Sequence, residues 1–373
     1  MAKKKSVKKK KKAKKEVVLT EREQGLVERV FELNKTYGKE EAFILPGSDV
    51  VFGSVRMQPT GIPALDRMLG GGFPEGKNIE VFGPEGGGKT TLVLNYVGER
   101  MKEDKMCVWF DAEDSLEVQW AKKFGIRVQK QRKGESLKDA LIRAITTRSL
   151  LLCKPQVGEH ALDAMKAFCG FVDVMVVDSV PALQPIAMLE ASNLDNFMGL
   201  KARMISQGID NIVSVNKKKD PSTIIWINQL TTNIGGYGNP EITPGGKRLK
   251  FYARLRLGVR QIAFEKLDKK NPRPGQRIAC YAKKNSYYPP HRKAQFNLMY
   301  KGHFDIKGQI IDLAKEYEII ERKGSYLHYR GEKRQGDTNF KKFLIRNPDV
   351  YAELLELVVE NINEEIADTK GIF

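Results

Sequence analysis

The stretch IEVFGPEGGGKTTLVLNYVGERMK, residues 79–102, decides the fold. IEVFG reads as a short buried strand. Thr90 to Lys102 reads as a helix. Between them GPEGGGKTT, Gly83 to Thr91, matches G-x-x-x-x-G-K-[ST] in the strand–loop–helix context the pattern requires. Glycines let backbone N–H groups curl around phosphates, and a helix N-terminus adds positive potential. The expected cradle is Gly83, Pro84, Glu85, Gly86, Gly87, Gly88, Lys89, Thr90 and Thr91. Lys89 is expected on the β- and γ-phosphates and Thr90 on Mg²⁺.

Working outward, VDVMVVDS (172–179) is a strongly apolar strand ending in Asp178, an acid that can hold the magnesium through water. FDAED (110–114) ends another strand. Glu113 there can polarise a water as general base, which points to ATP hydrolysis; the bland alternative is a cluster of acids at a helix start. MCVWFDAE, TIIWINQ and LRLGVRQIAF are further strands. Buried strands separated by helical segments imply an α/β core whose sheet is mostly parallel, with helices on both faces.

TIIWINQ raises a question of its own. A core strand, Ile224 to Ile227, ends in two amides, Asn228 and Gln229. It then opens into a segment rich in Gly, Thr and Pro.

The chain has 373 residues, 41% of them hydrophobic, enough for a sizeable core. The net charge is +18, and ten lysines fall within residues 1–15. That run repels itself. It is either a solubility or localisation tail or an electrostatic arm for nucleic acid. No apolar segment follows it, so it is not a secretory signal. No run reaches the roughly 20 apolar residues of a membrane span, so no membrane partner is expected. Cys107, Cys153, Cys169 and Cys280 are scattered without a C-x-x-C pair. That argues against a disulfide scaffold and a zinc site and for a reducing, cytoplasmic setting.

The expected organisation is a Lys-rich tail (1–18), an N-terminal arm (19–58), the ATPase core (59–290) and a C-terminal α+β domain (291–373). Residues 20–37 have helical apolar spacing. The character changes near Pro289, and a small β element lies around SYLHYRGEKRQG.

Seven motifs in order resemble the bacterial and phage RecA recombinase family: PTGIPALDRMLGGGFPEG, FGPEGGGKTTL, FDAEDSLEVQWAKKFGI, VMVVDSVPAL, FMGLKARMISQ, INQLTTNIGGYGNPEITPGGKRLKFYARLRL and GSYLHYRGEKRQG. The segment after INQ and the GEK-x-x-G element are more selective than the phosphate loop. The resemblance implies a RecA-type P-loop ATPase core, a helix–strand arm that docks on a neighbouring copy, and a small C-terminal lobe. It implies helical filaments on single-stranded DNA, pairing and strand exchange with homologous double-stranded DNA, and ATP held between copies.

It also implies roles for single residues. Glu113 matches the catalytic glutamate, and Gln229 the glutamine that senses the γ-phosphate and relays it to a DNA loop. Glu117, Trp120 and Tyr300 match positions beside the adenine. Lys250, Phe251 and Arg256 match interface positions. The DNA loops run from about Ala187 to Met198 and from Thr231 to Lys247, which gives Met198, Arg203, Ile234, Tyr237, Gly245, Gly246 and Lys247 as DNA-side residues. Ile234 matches the apolar wedge between base triplets. Lys284 matches one of two ATP-bridging lysines. Ser286 stands at the second, with Lys283 nearby.

Other departures are Asp210 in place of a DNA-contacting arginine, Lys247 in place of an asparagine, a second loop slightly short before Tyr237, an insertion between Ile126 and Leu151, and an acidic tail reduced to NEEIAD. Two other readings remain: a ring-forming motor such as a helicase with the same core, and a non-catalytic accessory protein. The first needs a larger N-terminal assembly domain than residues 19–58. The second sits badly with intact Lys89, Glu113, Asp178 and Gln229.

Overall fold

A computed structural model describes residues 20–37, 55–189, 199–216, 220–232, 241–264 and 274–371. The chain divides into two units, 1–55 and 56–373. The first contains the helix Glu21–Tyr37, with Leu26, Val27, Phe31 and Leu33 exposed. The Lys-rich tail and the strand expected in the arm lie outside the described residues.

The second unit is built on a nine-stranded sheet. Its strands are β1 (Asn78–Gly83), β2 (Cys107–Asp111), β3 (Leu151–Cys153), β4 (Val174–Asp178), β5 (Thr223–Gln229), β6 (Ala253–Phe264), β7 (Gly275–Asn285), β8 (Lys293–Met299) and β9 (His303–Phe304). The spatial order is β9-β8-β7-β6-β1-β5-β4-β2-β3. Strands β6 through β3 of that order run parallel, and β7, β8 and β9 fold back antiparallel.

Alternation of side chains assigns the two faces. Cys107, Trp109, Val174, Val176, Ile225 and Ile227 pack on one face with Leu92, Val93, Tyr96 and Val97 of the helix Lys89–Lys102. Val108, Phe110, Met175, Val177, Ile224 and Trp226 pack on the other, with Ala161, Leu162 and Met165 of the helix Gly158–Phe168 and Ile205, Ile209 and Ile212 of the helix Leu200–Val215. Both faces are covered, so these strands are apolar throughout. This is the doubly covered α/β core the sequence predicts.

β8 and β9 correct one expected boundary. They lie beyond residue 291, yet β8 is hydrogen-bonded to β7 along seven residue pairs, Gly275↔Met299 to Tyr281↔Lys293. The backbone ladder binds them to the core sheet, and the C-terminal part follows from the helix Ile306–Glu316. There β10 (Glu321–Lys323), β11 (Tyr326–Tyr329) and β12 (Glu332–Gln335) form an antiparallel sheet. The helices Gly336–Arg346 and Pro348–Gly371 complete a separate apolar cluster around Ile310, Leu327, Phe340, Leu344, Leu354 and Val358.

The insertion forms the helix Leu137–Thr146, capped by Ser136, whose hydroxyl accepts the Asp139 N–H at 3.1 Å. Leu137, Leu141, Ile142 and Ile145 are exposed along it. Its base is closed where the Leu150 N–H meets the Arg127 carbonyl at 2.8 Å. None of the four cysteines forms a disulfide, and Cys107, Cys169 and Cys280 are buried. No helix among the described residues is long and apolar enough to cross a membrane.

Gly98 tests the packing of the helix Lys89–Lys102. A Cβ there would lie 1.8 Å from the Phe124 carbonyl oxygen. Propensity alone would make Gly98→Ala stabilising by about 1 kcal/mol. The backbone clash reverses the sign, and a loss of roughly 2 kcal/mol or more is expected in urea unfolding. An unchanged midpoint would show that the two segments separate freely.

Candidate active site

The carboxyl ends of β1, β2, β4 and β5 meet at one level. Gly83 is opposite Gln229, and Asp111 is opposite Asp178. Ligands of open α/β sheets bind at such carboxyl ends.

The loop from Gly83 turns into the helix Lys89–Lys102 through two left-handed glycines, Gly86 (φ 68°) and Gly88 (φ 90°). A side chain at Gly83 would meet the Val259 carbonyl oxygen at 1.9 Å, and one at Gly88 would meet Ile278 Cδ1 at 2.5 Å. The glycines are required by close approach. The Lys89 ammonium donates to the Gly83 and Pro84 carbonyls at 3.1 and 2.8 Å. Burial lowers its pKa, and Asp178, Glu113 and Glu85 oppose that.

The Thr90 hydroxyl donates to Asp178 Oδ2 at 2.9 Å. Burial pushes the Asp178 carboxyl from its usual 3.8 up to about 7. The Thr90 bond and Lys89 pull it down, and Glu113 and Asp111 push it up. Among the described residues no three His, Cys, Asp or Glu side chains converge on a metal position. Mg²⁺ does not need such a cage: it takes one or two protein oxygens and completes its shell with water and phosphate. Thr90 and Asp178, already touching beside the cradle, fit that demand.

The three acids of FDAED separate. Asp111 accepts the Ser115 and Leu116 N–H groups at 3.0 and 3.1 Å and so organises the turn. Asp114 pairs with Lys154 at the surface. Glu113 faces the site, where its Oε1 accepts from the Ser179 hydroxyl and from Gln229 Nε2, the latter at 3.3 Å. Both bonds fall on one oxygen. Ser179 was not singled out from the sequence; its only signal is its place directly after Asp178.

A cleft of about 360 Å³ adjoins the cradle, lined by Gly86 to Thr91, Trp120, Tyr300, Gln276 and Leu298. Trp120 Nε1 donates to Thr91 Oγ1 at 3.2 Å. The two aromatic residues expected beside a base are thus brought together. Gln276 and Leu298 were missed, because β7 and β8 reach the cleft only by folding back. Glu117, the residue before the helix Val118–Lys123, is not among the lining residues.

Lys284 also lies apart from this cleft, and its ammonium donates to the Lys250 and Phe251 carbonyls at 3.1 and 2.9 Å. Phe251 is 68% exposed. Arg256 is turned inward: its side chain is 10% exposed and pairs with Glu80 at 2.5 Å. Its head group is thus held within its own chain, on Glu80.

Of the residues expected on the DNA side, Arg203 and Lys247 are exposed on the helices Leu200–Val215 and Gly246–Tyr252. Gly245 (φ 97°) and Gly246 (φ 77°) begin the second of these. Asp210 is paired with Arg248 at 3.5 Å. Met198, Ile234 and Tyr237 lie outside the described residues.

Comparison with known proteins agrees with this geometry. The family model for the RecA N-terminal domain matches residues 24–134 and 136–305, and that for the RecA C-terminal domain matches 308–363. The chain belongs to the RecA family. Protein RecA of Caldanaerobacter subterraneus subsp. tengcongensis is 35% identical over 351 residues, 93% of this chain and 96% of that protein. Protein RecA of Leptospira meyeri is 36% identical over 92% of this chain and 84% of its own length, and that of Campylobacter lari 36% over 88% and 91%. A crystal structure of the RadB recombinase aligns at a TM-score of 0.45 and 21% identity, over 66% of this chain and 98% of that one, and nothing here rests on it. The family models meet between residues 305 and 308, where β9 gives way to the helix Ile306–Glu316.

Asp178 makes a pH test. Its folded pKa of about 7 lies above the unfolded value, so the folded state holds more protons between these limits. Stability therefore falls as pH rises through that window. Without nucleotide or divalent ions, Asp178→Asn is expected to be more stable than the parent at pH 8, by at most about 4 kcal/mol, with the gap narrowing below pH 7 and closing toward the ordinary value of 3.8. Equal denaturation midpoints at pH 8 would show that ionised Asp178 is not penalised in the fold.

Proposed function

We infer that this chain, an ATP-dependent recombinase of the RecA family, binds ATP with Mg²⁺ in the Gly83–Thr91 cradle and hydrolyses it in response to single-stranded DNA. It does so as a filament that pairs the strand with homologous duplex. The observation that carries this reading is the hydrogen bond from Gln229 to Glu113. Gln229 is the last residue of β5, and the loop with the DNA-side positions follows it directly.

Lys89 and the cradle N–H groups bind and orient the phosphates. Mg²⁺, held by Thr90 and through water by Asp178, would neutralise charge developing on them. Glu113 takes the proton of the attacking water. Ser179 and Gln229 occupy its Oε1, and among the described residues none donates to Oε2, the oxygen that would take the proton. Trp120 and Tyr300 supply apolar faces for the base. ATP between copies would bring in Lys284 from a neighbour, which fits its distance from its own cradle.

Hydrolysis measured with and without single-stranded DNA tests the reading. Glu113→Gln is expected to retain ATP binding and to slow turnover roughly 10²–10⁴-fold. A fall of less than tenfold would place the base elsewhere. Gln229→Ala is expected to keep ATP affinity while losing the mutual enhancement of ATP and DNA binding, a coupling that is typically about 5–150-fold. Full enhancement in that variant would reduce Gln229 to a polar strand end.

A further inference from the structure

Beside the site lies a buried polar cluster that the nucleotide chemistry does not use. Glu80, in the middle of β1, is 0% exposed. It is level with Arg256 on β6 and with Trp226 on β5. Its Oε2 accepts from Arg256 Nε at 2.5 Å, and its Oε1 from Asn228 Nδ2 at 2.9 Å. Asn228, also 0% exposed, donates a second time to the Pro244 carbonyl at 2.8 Å. Its Oδ1 accepts the backbone N–H of Gln229 at 3.0 Å. Arg256 reaches the Thr243 hydroxyl at 3.3 Å.

These bonds converge on one place. Thr231 and Thr232 pair with Ile242 and Glu241, so Gln229 and Leu230 form one stem of a hairpin and Thr243 and Pro244 the other. The first stem is tied to β1 by the Leu230 N–H on the Gly83 carbonyl at 3.2 Å. The second is tied to the cluster by Asn228 to Pro244 and by Arg256 to Thr243. Adjacent strand residues point to opposite faces. Asn228 therefore holds Glu80 on one side of β5 while Gln229 reaches Glu113 on the other. A buried carboxylate without its partners is strongly disfavoured, so the cluster has one good arrangement and resists intermediate ones.

We propose that Asn228 is a positioning residue that, by closing the hairpin base onto Glu80, holds Gln229 against Glu113 and sets how strongly single-stranded DNA stimulates hydrolysis. This rests on the DNA-stimulated ATPase reading above. The Asn228 side chain bonds to Glu80, Pro244 and the Gln229 N–H and is not among the residues lining the cleft, so its loss acts on the coupling and leaves the unstimulated reaction in place.

The test uses the full chain. ATP turnover of wild type, Asn228→Ala and Thr243→Val is measured with and without a single-stranded oligonucleotide, alongside melting temperature. Asn228→Ala is expected to hydrolyse ATP without DNA at a rate close to wild type, while the ratio of stimulated to unstimulated turnover falls by a factor in the range of about 5–150. Thr243→Val keeps Asn228 and removes one bond of the second stem, and is expected to lower the ratio by a smaller factor. A general loss of stability would lower both rates together, and that outcome, like an unchanged ratio in Asn228→Ala, overturns the proposal. If Asn228→Ala does not fold, an unchanged ratio in Thr243→Val overturns it. If wild type is not stimulated by DNA at all, the ATPase reading itself fails first.

Discussion

The parallel ladder between β1 and β5 is the constraint on which the site depends. It sets Gly83 level with Gln229, and with β4 alongside it brings Asp178 to the same edge. Side chains alternate across a strand, so a slip of one residue in β5 would exchange the surroundings of Asn228 and Gln229. The apolar residues prevent that slip. Ile225 and Ile227 belong to one core cluster and Ile224 and Trp226 to the other, and neither set fits the opposite face.

The same register concentrates charge in a poorly solvated place. Asp178 and Glu113 both act on the Lys89 ammonium, and Lys89 and Glu113 both act on the Asp178 carboxyl. Burial disfavours the charged forms of both Lys89 and Asp178, one by losing a proton and the other by keeping it. A polyphosphate and a divalent cation, bound as proposed, would supply opposite charges to each of them. The site is therefore arranged so that ligand binding relieves a desolvation already present in the fold, which is a general route to tight binding of a charged group.

Legibility in the sequence followed from how local each signal is. The cradle was readable because its glycines, Lys89 and Thr90 are contiguous and the strand and helix around them have distinct periods. Glu113 was readable as one of three acids after a strand, but nothing local separates it from Asp111, which caps a turn, or Asp114, which pairs with Lys154. Gln276 and Leu298 enter the cleft through antiparallel pairing that one-dimensional pattern does not encode. The early placement of the C-terminal boundary has the same origin, since the short β8 and β9 follow a turn and resemble the start of something new. Glu80 did leave a trace: it is the single charge in the strand Asn78–Gly83, and a charge in a core is nearly always paired. Arg256 left none, because β6 also carries Arg254 and Arg260. The resemblance matched Arg256 to an interface position; its side chain is buried against Glu80.

The inserted segment between β2 and β3 enters and leaves through one backbone hydrogen bond, Leu150 to Arg127. Its two ends are thus neighbours before the helix Leu137–Thr146 begins, and the entropy of closing such a loop grows only slowly with its length. The sheet's edge does not register how much chain is looped out there. This part of the molecule is the natural place for evolution to lengthen, trim or exchange material, and for an engineer to graft a reporter, without disturbing the alignment of the strands that build the ATP site.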